Sequence, residues 1–502
     1  MIRRSSPRPL IAACLAASAL LGSAEAGAQS PPLNESIVIG AWTFRPSLEA
    51  RLRGEYRNDP FGFDRIPNFY DDAVQLDAEG STLPPIAGGV FNDQVKPLTD
   101  AWAISERVRL GLAVDRGPVT AVLKLQDGRV LGGTYEAAAL PRVSDLGPGL
   151  SGAPGYGFAP YEAYLDIHAR TGRPMFLRVG RQAVQWGDGR LIGTNDFTAT
   201  GRSLDAARFG VELGDFDIEA MAVLLSLTSS TQQVSFENLE KVNPSTSFLG
   251  AQLYGLKVTG HFLPLLQIEA TGLARIVRTE LTPTLTPSDT FVADLRVFGG
   301  YRGVTYSVEA AYQGGQVASY GANRPIEAIA VAGRLEWETA LPLHLTFGLQ
   351  GAYATGDNGV ATSTDKMTRF DPILPDQTSN HSRMSLYAWS NVAEAGGDLA
   401  IRPSDTVRLA AGYHYVGLAD PKGRWITGAL NTVGADPTNT SAELGHEVDA
   451  TLRVTPWDPI SFQAGYGLFL LGEGGKNILT AVERPHGEMQ HWGYLQATVT
   501  AP

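Results

Sequence analysis

Hydrophobic and polar residues alternate with a period of two along much of the chain, which places every second side chain on the same face of a β-strand. The segment 48–57 is the clearest example. Its even-numbered positions are Leu, Ala, Leu, Gly and Tyr, whereas every odd-numbered position is Glu or Arg. We therefore predict a strand there with one largely apolar face and one charged face.

Similar alternation predicts about eighteen strands of roughly ten residues, which is the length that a tilted strand needs to cross a bilayer. The other predicted strands cover 102–114, 119–126, 161–168, 175–182, 207–213, 217–225, 251–260, 265–275, 291–300, 302–313, 327–338, 343–353, 390–402, 405–416, 443–455, 459–470 and 489–499. Short connections rich in Gly, Pro and Asp, such as 115–118 and 402–405, alternate with long polar connections, such as 58–101 and 354–386. Short turns at one end and long loops at the other are typical of outer-membrane barrels.

Two architectures hold this many strands: soluble sandwiches or propellers, whose apolar faces meet one another, and one closed barrel, whose apolar face meets lipid. Charged strand faces fit both, because a soluble domain exposes them to water. Aromatic residues near strand ends favour the barrel, in which they form interfacial girdles. These residues are Trp42, Tyr56, Tyr161, Tyr301, Tyr312, Trp337, Tyr353, Trp389, Tyr413, Tyr415, Trp457, Phe469, Trp492 and Tyr494. We therefore predict an all-β fold, a transmembrane antiparallel β-barrel of about eighteen strands.

The N-terminus has the features of a secretory signal peptide. Three arginines in the first eight residues precede an apolar stretch over 10–21, and small residues follow it. We expect three parts of the chain: a signal peptide over 1–28, an N-terminal periplasmic segment over 29–39, and one outer-membrane barrel domain over 40–502. Export by this route predicts a location in the bacterial outer membrane.

Composition narrows the function classes further. The net charge of −12 argues against a nucleic-acid binder that depends on excess Lys and Arg. The single cysteine, Cys14, lies in the predicted leader, so the exported chain has no thiol nucleophile, disulfide or Cys-ligated metal. After the leader there is no run of about 18 apolar residues, which argues against membrane-spanning helices.

Arginine outnumbers lysine 33 to 7, and many arginines fall on the polar faces of predicted strands. Arg51 and Arg53 are two examples, and we expect both to face the lumen. Guanidinium groups suit carboxylates and phosphates, so one interpretation is a basic ladder that attracts an anionic solute. The other interpretation is that these arginines pair with lumen acids such as Glu49 and Glu55 and hold the wall together. The residues alone leave both open.

Motifs for catalysis are scarce. The eight histidines include no pair at metal-ligand spacing, and no Gly-x-Ser-x-Gly elbow or phosphate loop occurs. We therefore predict no enzyme activity, no catalytic residues, no cofactor and no metal. A barrel hydrolase with a Ser-His pair stays an alternative, since such residues need to be close only in space.

Three motifs in the centre of the chain resemble the signature of the bacterial alginate export family. They are Arg-Val-Gly-Arg-Gln at 178–182, Trp-Gly-Asp-Gly-Arg-Leu-Ile-Gly at 186–193 and Thr-Gly-Arg-Ser-Leu-Asp-Ala-Ala-Arg at 200–208. Segments 106–112, 125–129 and 162–165 resemble the preceding strands of that family in the same order, and the likeness runs from about residue 45 to 499.

The resemblance implies an eighteen-stranded outer-membrane barrel whose arginine-lined lumen conducts an acidic polysaccharide by passive selective diffusion. By motif position it implies lumen contacts from Arg107, Arg109, Arg129, Arg178, Arg181, Arg190, Arg202 and Arg208, with Asp127, Asp188 and Asp205 as their acid partners. The expected partners are an anionic poly- or oligosaccharide, outer-membrane lipid and a periplasmic export scaffold, and not nucleic acid. A general or uptake porin for small anionic solutes is the alternative function.

The long segment 58–101 contains several aspartates. It is either an acidic gate that folds into the lumen or a solvated loop.

Overall fold

The computed structural model describes residues 36–58, 61, 100–131, 159–169, 173–226, 251–277, 287–319, 322–359, 366–381, 383–484 and 486–501. The first strands are β1 (Ile37–Ile39), β2 (Trp42–Asn58), β3 (Asp100–Arg116), β4 (Val119–Leu131), β5 (Ala159–Ala169), β6 (Met175–Gln182), β7 (Leu204–Leu213), β8 (Phe216–Ser226), β9 (Ala251–Leu263) and β10 (Leu266–Val277). They are followed by β11 (Ser288–Tyr301), β12 (Val304–Ser319), β13 (Ala322–Glu338), β14 (Thr346–Ala354), β15 (Val392–Ser404), β16 (Val407–Gly417), β17 (Trp425–Ile426), β18 (Thr432–Gly434), β19 (Glu443–Trp457), β20 (Ile460–Leu471), helix α1 (Glu473–Ala481) and β21 (Met489–Ala501).

Eighteen of these strands form a closed antiparallel barrel. Strands β2 to β16 pair in chain order, β16 pairs with β19, and β19 to β21 continue the order. The barrel closes where β21 pairs with β2, from Leu48 opposite Ala501 to Arg57 opposite Trp492. The short β1 pairs with the start of β2, and β17 pairs with β18 in a separate two-stranded sheet. The predicted fold class is confirmed.

Each predicted strand coincides with one strand of the barrel, with small shifts at the ends. Most observed strands extend beyond the predicted ends, by up to six residues. The largest overextension of a predicted start is at 343–353, because the observed β14 begins at Thr346. Leu343 and His344 have positive φ angles of 74° and 44°, so they form the turn that precedes this strand. Alternation of apolar residues through that turn extended the predicted strand by three residues.

The charged face of the strands points into the barrel and the apolar face points outward. On β2, Arg51 and Arg53 are 6% and 5% exposed, whereas Leu52 between them is 47% exposed. Leu110 on β3 and Leu123 on β4 are likewise exposed. This arrangement fits a barrel in lipid and not a sandwich, in which the apolar faces would be covered by each other.

Two connections fold into the barrel. The first inner segment (183–203) joins β6 to β7, and the second inner segment (366–391, without Ser382) precedes β15. They meet at a parallel bridge between Ile192 and Leu374.

Both segments contact wall strands on several sides. Asp188 lies 2.6 Å from Arg296 on β11, and Asp371 lies 2.5 Å from Arg275 on β10. Trp389 donates its indole N–H to the carbonyl oxygen of Tyr353 on β14 at 3.2 Å. Contacts with wall strands around the barrel locate the two segments in the lumen.

The buried apolar core lies where the inner segments meet. Ile192, Ile373 and Leu374 are completely buried, and the rings of Phe370 and Trp389 pack edge to face with centroids 5.2 Å apart. The core therefore fills part of the lumen, whereas the outer surface of the barrel keeps its apolar side chains for lipid.

Some sequence predictions fall on residues that the structure does not describe. The predicted signal peptide is outside the described residues, as is the predicted gate over 58–101, apart from its ends and Phe61. Phe61 is completely buried and packs against Phe469 of β20 with ring centroids 6.2 Å apart. Helices of the described part of the chain are all too short or too polar to cross a membrane.

The contact between the inner segments gives a first prediction. A Cβ on Gly193 would lie 2.7 Å from both the backbone nitrogen and the Cβ of Asp376. Gly193→Ala therefore separates the two segments, and we expect the free energy of unfolding to fall by about 1–3 kcal/mol. Heat-induced unfolding in detergent, followed by gel mobility, measures the change. Gly272→Ala on β10 is the matched control, because its Cβ meets nothing within 4 Å. Equal unfolding midpoints for the two variants would contradict the prediction.

Candidate functional site

Three arginines on the inner face of β2 and β3 hold the first inner segment. Arg51 and Arg107 are directly opposite each other in the ladder, and alternation places Arg109 on the same face. Arg51 donates hydrogen bonds to the backbone carbonyl oxygens of Asp196, at 2.9 Å, and Ala199, at 3.3 Å. Arg107 also donates to the carbonyl oxygen of Asp196 at 2.9 Å. The carbonyl oxygens of this irregular backbone have no neighbouring strand to pair with, and the arginine side chains donate the hydrogen bonds that they lack.

The carboxylate of Asp196 completes this cluster. It lies 2.8 Å from Nη1 of Arg109 and 3.1 Å from Nη1 of Arg107. Burial alone raises the pKa of Asp196, but the guanidinium groups of Arg107 and Arg109 hold that pKa below its ordinary value. Asp196 is therefore ionised at neutral pH and ties the first inner segment to the wall.

Arg202 joins the two inner segments to each other. Its Nη1 donates to the carbonyl oxygens of Gly193, at 3.0 Å, Leu374, at 2.6 Å, and Pro375, at 3.0 Å. Burial lowers the pKa of Arg202 to about 10, so the side chain stays cationic at neutral pH. Arg202 is only 4% exposed and leaves little surface for a solute.

Arg53 and Arg190 have similar structural contacts. Arg53 donates to the carbonyl oxygen of Phe197 at 2.6 Å, and its guanidinium lies 4.3 Å from the centre of that ring. Arg190 lies 3.3 Å from the carboxylate of Glu309 on β12 and donates to the carbonyl oxygen of Asn380. Both arginines are buried between the wall and the inner segments.

Arg178 and Arg208 are opposite each other on β6 and β7, on the inner face. Arg178 donates from Nε to Asp166 at 2.8 Å, and Arg208 donates from Nε to Glu219 at 2.6 Å. Glu219 also accepts a hydrogen bond from the indole N–H of Trp186 in the first inner segment. Each of these two arginines is therefore neutralised by an acid of the wall.

Arg181 and Asp205 lie on the outer face of the barrel. They are opposite each other in the ladder, 3.1 Å apart, and share that face with the exposed Val179 and Phe209. Arg181 follows Arg178 by three residues, and an odd spacing puts two side chains of a regular strand on opposite faces. The expectation that Arg181 and Asp205 line the lumen does not agree with this placement.

The remaining predicted residues have mixed positions. Asp188 pairs with Arg296 at 2.6 Å and accepts a hydrogen bond from Ser307 at 2.8 Å, so its partner is an arginine that the resemblance does not single out. Asp127 is buried on β4. Arg129 also belongs to β4, but its side chain lies outside the described residues.

An open cavity of about 470 Å³ lies between the inner segments and one side of the wall. Strands β2, β13 to β16, β19 and β21 contribute to its lining, which includes basic, acidic and neutral polar side chains. Its basic side chains are Arg51, Arg334, His381, Arg383 and His414. Its acidic side chains are Asp196, Asp398 and Asp449. Of the ten arginines predicted from the sequence, only Arg51 is among the residues that line this cavity.

A hydrogen-bonded network forms one wall of the cavity. Glu394 on β15 lies 2.7 Å from Nδ1 of His381 and 3.2 Å from Nδ1 of His414. Gln350 donates to the same carboxylate at 2.7 Å, and Nε2 of His414 lies 3.5 Å from Asp449. Glu394 therefore fastens the second inner segment, through His381, to the wall. Within the described residues, no group of three or more His, Cys, Asp or Glu side chains is arranged to hold a metal ion.

Sequence reasoning missed most of the cavity. Arg334 was recognisable as a polar-face arginine of an alternating strand, but it carries no family motif. His381 and Arg383 lie in the irregular second inner segment, where alternation gives no information about direction. His414 alternates with Tyr413 and Tyr415, and this pattern is the only local signal that it faces inward.

A model of the alginate export family matches residues 113–480. The chain belongs to the alginate export family. No curated protein sequence matches it significantly.

Solved structures with a similar fold are porins. A BenF-like porin from Pseudomonas fluorescens Pf-5 has a TM-score of 0.53 and 11% identity, with 91% of this chain and 98% of that chain covered. OccK9 (OpdG) of Pseudomonas aeruginosa has a TM-score of 0.52 and 10% identity, with 91% and 98% covered. OccK11 (OpdR) of the same species has a TM-score of 0.51 and 10% identity, with 91% and 96% covered. Identity this low shows likeness of fold alone.

Family membership and the closed barrel with an apolar outer face locate the protein in the outer membrane. The protein is an outer-membrane channel, and its family points to transport rather than to catalysis.

The contacts of Asp196 give a second prediction. Asp196→Asn removes the charge that Arg107 and Arg109 contact, so the first inner segment loosens and we expect larger open-channel conductance and noise at neutral pH. The lowered pKa of Asp196 means that its stabilising contribution is complete above the ordinary value of 3.8 and is lost as the pH falls below it. Wild-type conductance should therefore stay constant from pH 8 to 5 and approach that of the variant only in stronger acid.

Single-channel recordings across this pH range make the comparison. Asp205→Asn is the control, because it removes an acid from the outer face that pairs with Arg181. If the Asp196→Asn channel has the same conductance and noise as the wild-type channel, the carboxylate does not hold the first inner segment.

Proposed function

We propose that this channel conducts an acidic oligo- or polysaccharide of the alginate type across the outer membrane by passive, selective diffusion. The observation that carries the proposal is the cavity beside the inner segments, where Arg51, Arg334, Arg383 and two histidines converge. Membership of the alginate export family supports a polysaccharide as the solute.

The balance of charge in the cavity supports passage instead of tight binding. Arg334 lies 2.8 Å from Glu336 and 3.5 Å from Asp398, and the histidines contact Glu394. These acids reduce the attraction that each basic group exerts on a solute carboxylate. A channel conducts only when its sites hold the solute weakly enough to release it, and several weak sites in sequence satisfy that condition.

The predicted arginine ladder takes a more limited part in this proposal. Arg51 borders the cavity directly. Arg53, Arg107, Arg109, Arg190 and Arg202 act through the inner segments, because their donors are bonded to those segments or to wall acids. They set the shape of the path and contribute positive potential from behind its surface.

A channel for small anionic solutes is the second candidate. The inner segments fill part of the lumen with an apolar core, and the cavity that remains is small for a chain of many sugars.

Outer-membrane lipid and a periplasmic export scaffold are the other partners that we propose. The lipid would contact the outer face of the barrel, and the scaffold would serve export.

Planar-bilayer recording of the purified protein tests the proposal and is the third prediction. We expect anion preference in a salt gradient and block by an oligouronate, with little block by a neutral oligosaccharide of equal length. Arg334→Gln leaves Glu336 and Asp398 without their basic partner, so its reversal potential should shift toward cation preference. Arg173→Gln, which removes an exposed positive charge in the turn before β6, should behave as wild type.

Anion preference without block by the oligouronate would favour the second candidate, a channel for small anionic solutes. Equal block by neutral and acidic oligosaccharides would favour a general porin. Cation preference in the wild-type protein would contradict conduction of an acidic saccharide.

A further inference from the structure

We propose that Arg383, in the second inner segment, is the side chain that binds the carboxylate of the passing solute and selects for acidic saccharides. The inference rests on the proposed function, since it names the specificity residue of the same cavity. No motif or resemblance in the sequence singles out this position.

Arg383 differs from the other basic residues of the cavity in its hydrogen bonds and ion pairs, as far as the described residues show them. Arg51 donates to backbone carbonyl oxygens, Arg334 contacts Glu336 and Asp398, and both histidines contact Glu394. Within the described part of the chain, Arg383 makes neither a hydrogen bond nor an ion pair, although its side chain is half-buried and lines the cavity. Its guanidinium donors are therefore available to a ligand, and their planar fork matches the two oxygens of a carboxylate.

A neighbouring polar side chain, Gln496, lines the same cavity. A side-chain amide both donates hydrogen bonds to sugar hydroxyls and accepts them.

An aromatic ring completes the site. Phe197 borders the cavity and is held in place by Tyr494, with ring centroids 5.4 Å apart, and by Arg53 on one face. A fixed ring gives the apolar C–H groups of a sugar a surface to contact. A guanidinium without a hydrogen-bond partner, an amide side chain and an aromatic ring together fit a hydroxylated ring with a carboxylate, which is a uronate.

The side chain that we propose to bind the solute is not one of those that attach the second inner segment to the rest of the barrel. Arg202 and Glu394 hold this segment through Leu374 and His381. The guanidinium of Arg383 is not part of that attachment, so a substitution there changes the cavity and leaves the segment in place.

The fourth prediction concerns block of the full-length channel by a trisaccharide of uronic acid, recorded in a planar bilayer. Arg383→Gln should weaken the block roughly 10-fold or more, because a charge-assisted hydrogen bond pair is lost. Arg383→Lys keeps the charge without the fork and should give an intermediate loss. Block by the neutral trisaccharide should be the same in all channels. Arg173→Gln removes an equal charge outside the cavity and should match wild type.

The outcomes separate this inference from the proposed function. A heat-induced unfolding midpoint equal to that of wild type, measured in detergent, verifies that each variant is folded. If the uronate blocks wild type and Arg383→Gln equally, the role of Arg383 is overturned and conduction of an acidic saccharide stands. If the uronate fails to block wild type and the channel prefers cations, the proposed function fails and the inference fails with it. A loss of block in Arg383→Gln that Arg173→Gln does not share supports the inference.

Discussion

Irregular backbone inside a barrel has carbonyl groups that no strand ladder can satisfy, and in this protein arginine side chains supply the missing donors. Arg51 and Arg107 donate to the carbonyl of Asp196, and Arg202 donates to three carbonyls of both inner segments. A buried polar group without a partner costs free energy comparable to a lost hydrogen bond. The inner segments therefore depend on these arginines, and the shape of the lumen depends on the inner segments.

This dependence bears on the two interpretations of the arginine-rich composition. Arg178 and Arg208 pair with wall acids, as the structural interpretation expects. Arg51 is bonded to the first inner segment and also borders the cavity, so its structural contact leaves it on the path that we propose for the solute. The partner of each guanidinium, and not its presence on a strand, decides which use it has.

The fold was predictable from alternation because lipid outside and charge inside impose a period of two on every strand. Phe209, Arg208 and Ala207 show this rule on β7, where the arginine lies between two outward residues. The rule ends where the strand ends. His381, Arg383 and Asp196 lie in irregular segments whose direction is set by contacts with strands far away in the chain, so no local pattern reveals it. Arg181 shows the opposite error: a motif position was treated as a lumen position, although its odd spacing from Arg178 places it outside.

The preference for arginine over lysine also follows from the inner segments. A lysine ammonium is a compact charge on a flexible stem, whereas a guanidinium has five donors in a fixed plane. Nη1 of Arg202 reaches the carbonyls of Gly193, Leu374 and Pro375 at once and so joins two segments that are distant in the chain. The same plane suits the carboxylate of a solute where a guanidinium is left without a protein partner. An arginine-rich lumen can therefore both build an irregular constriction and attract an acidic solute to it, and local pairing separates the two tasks.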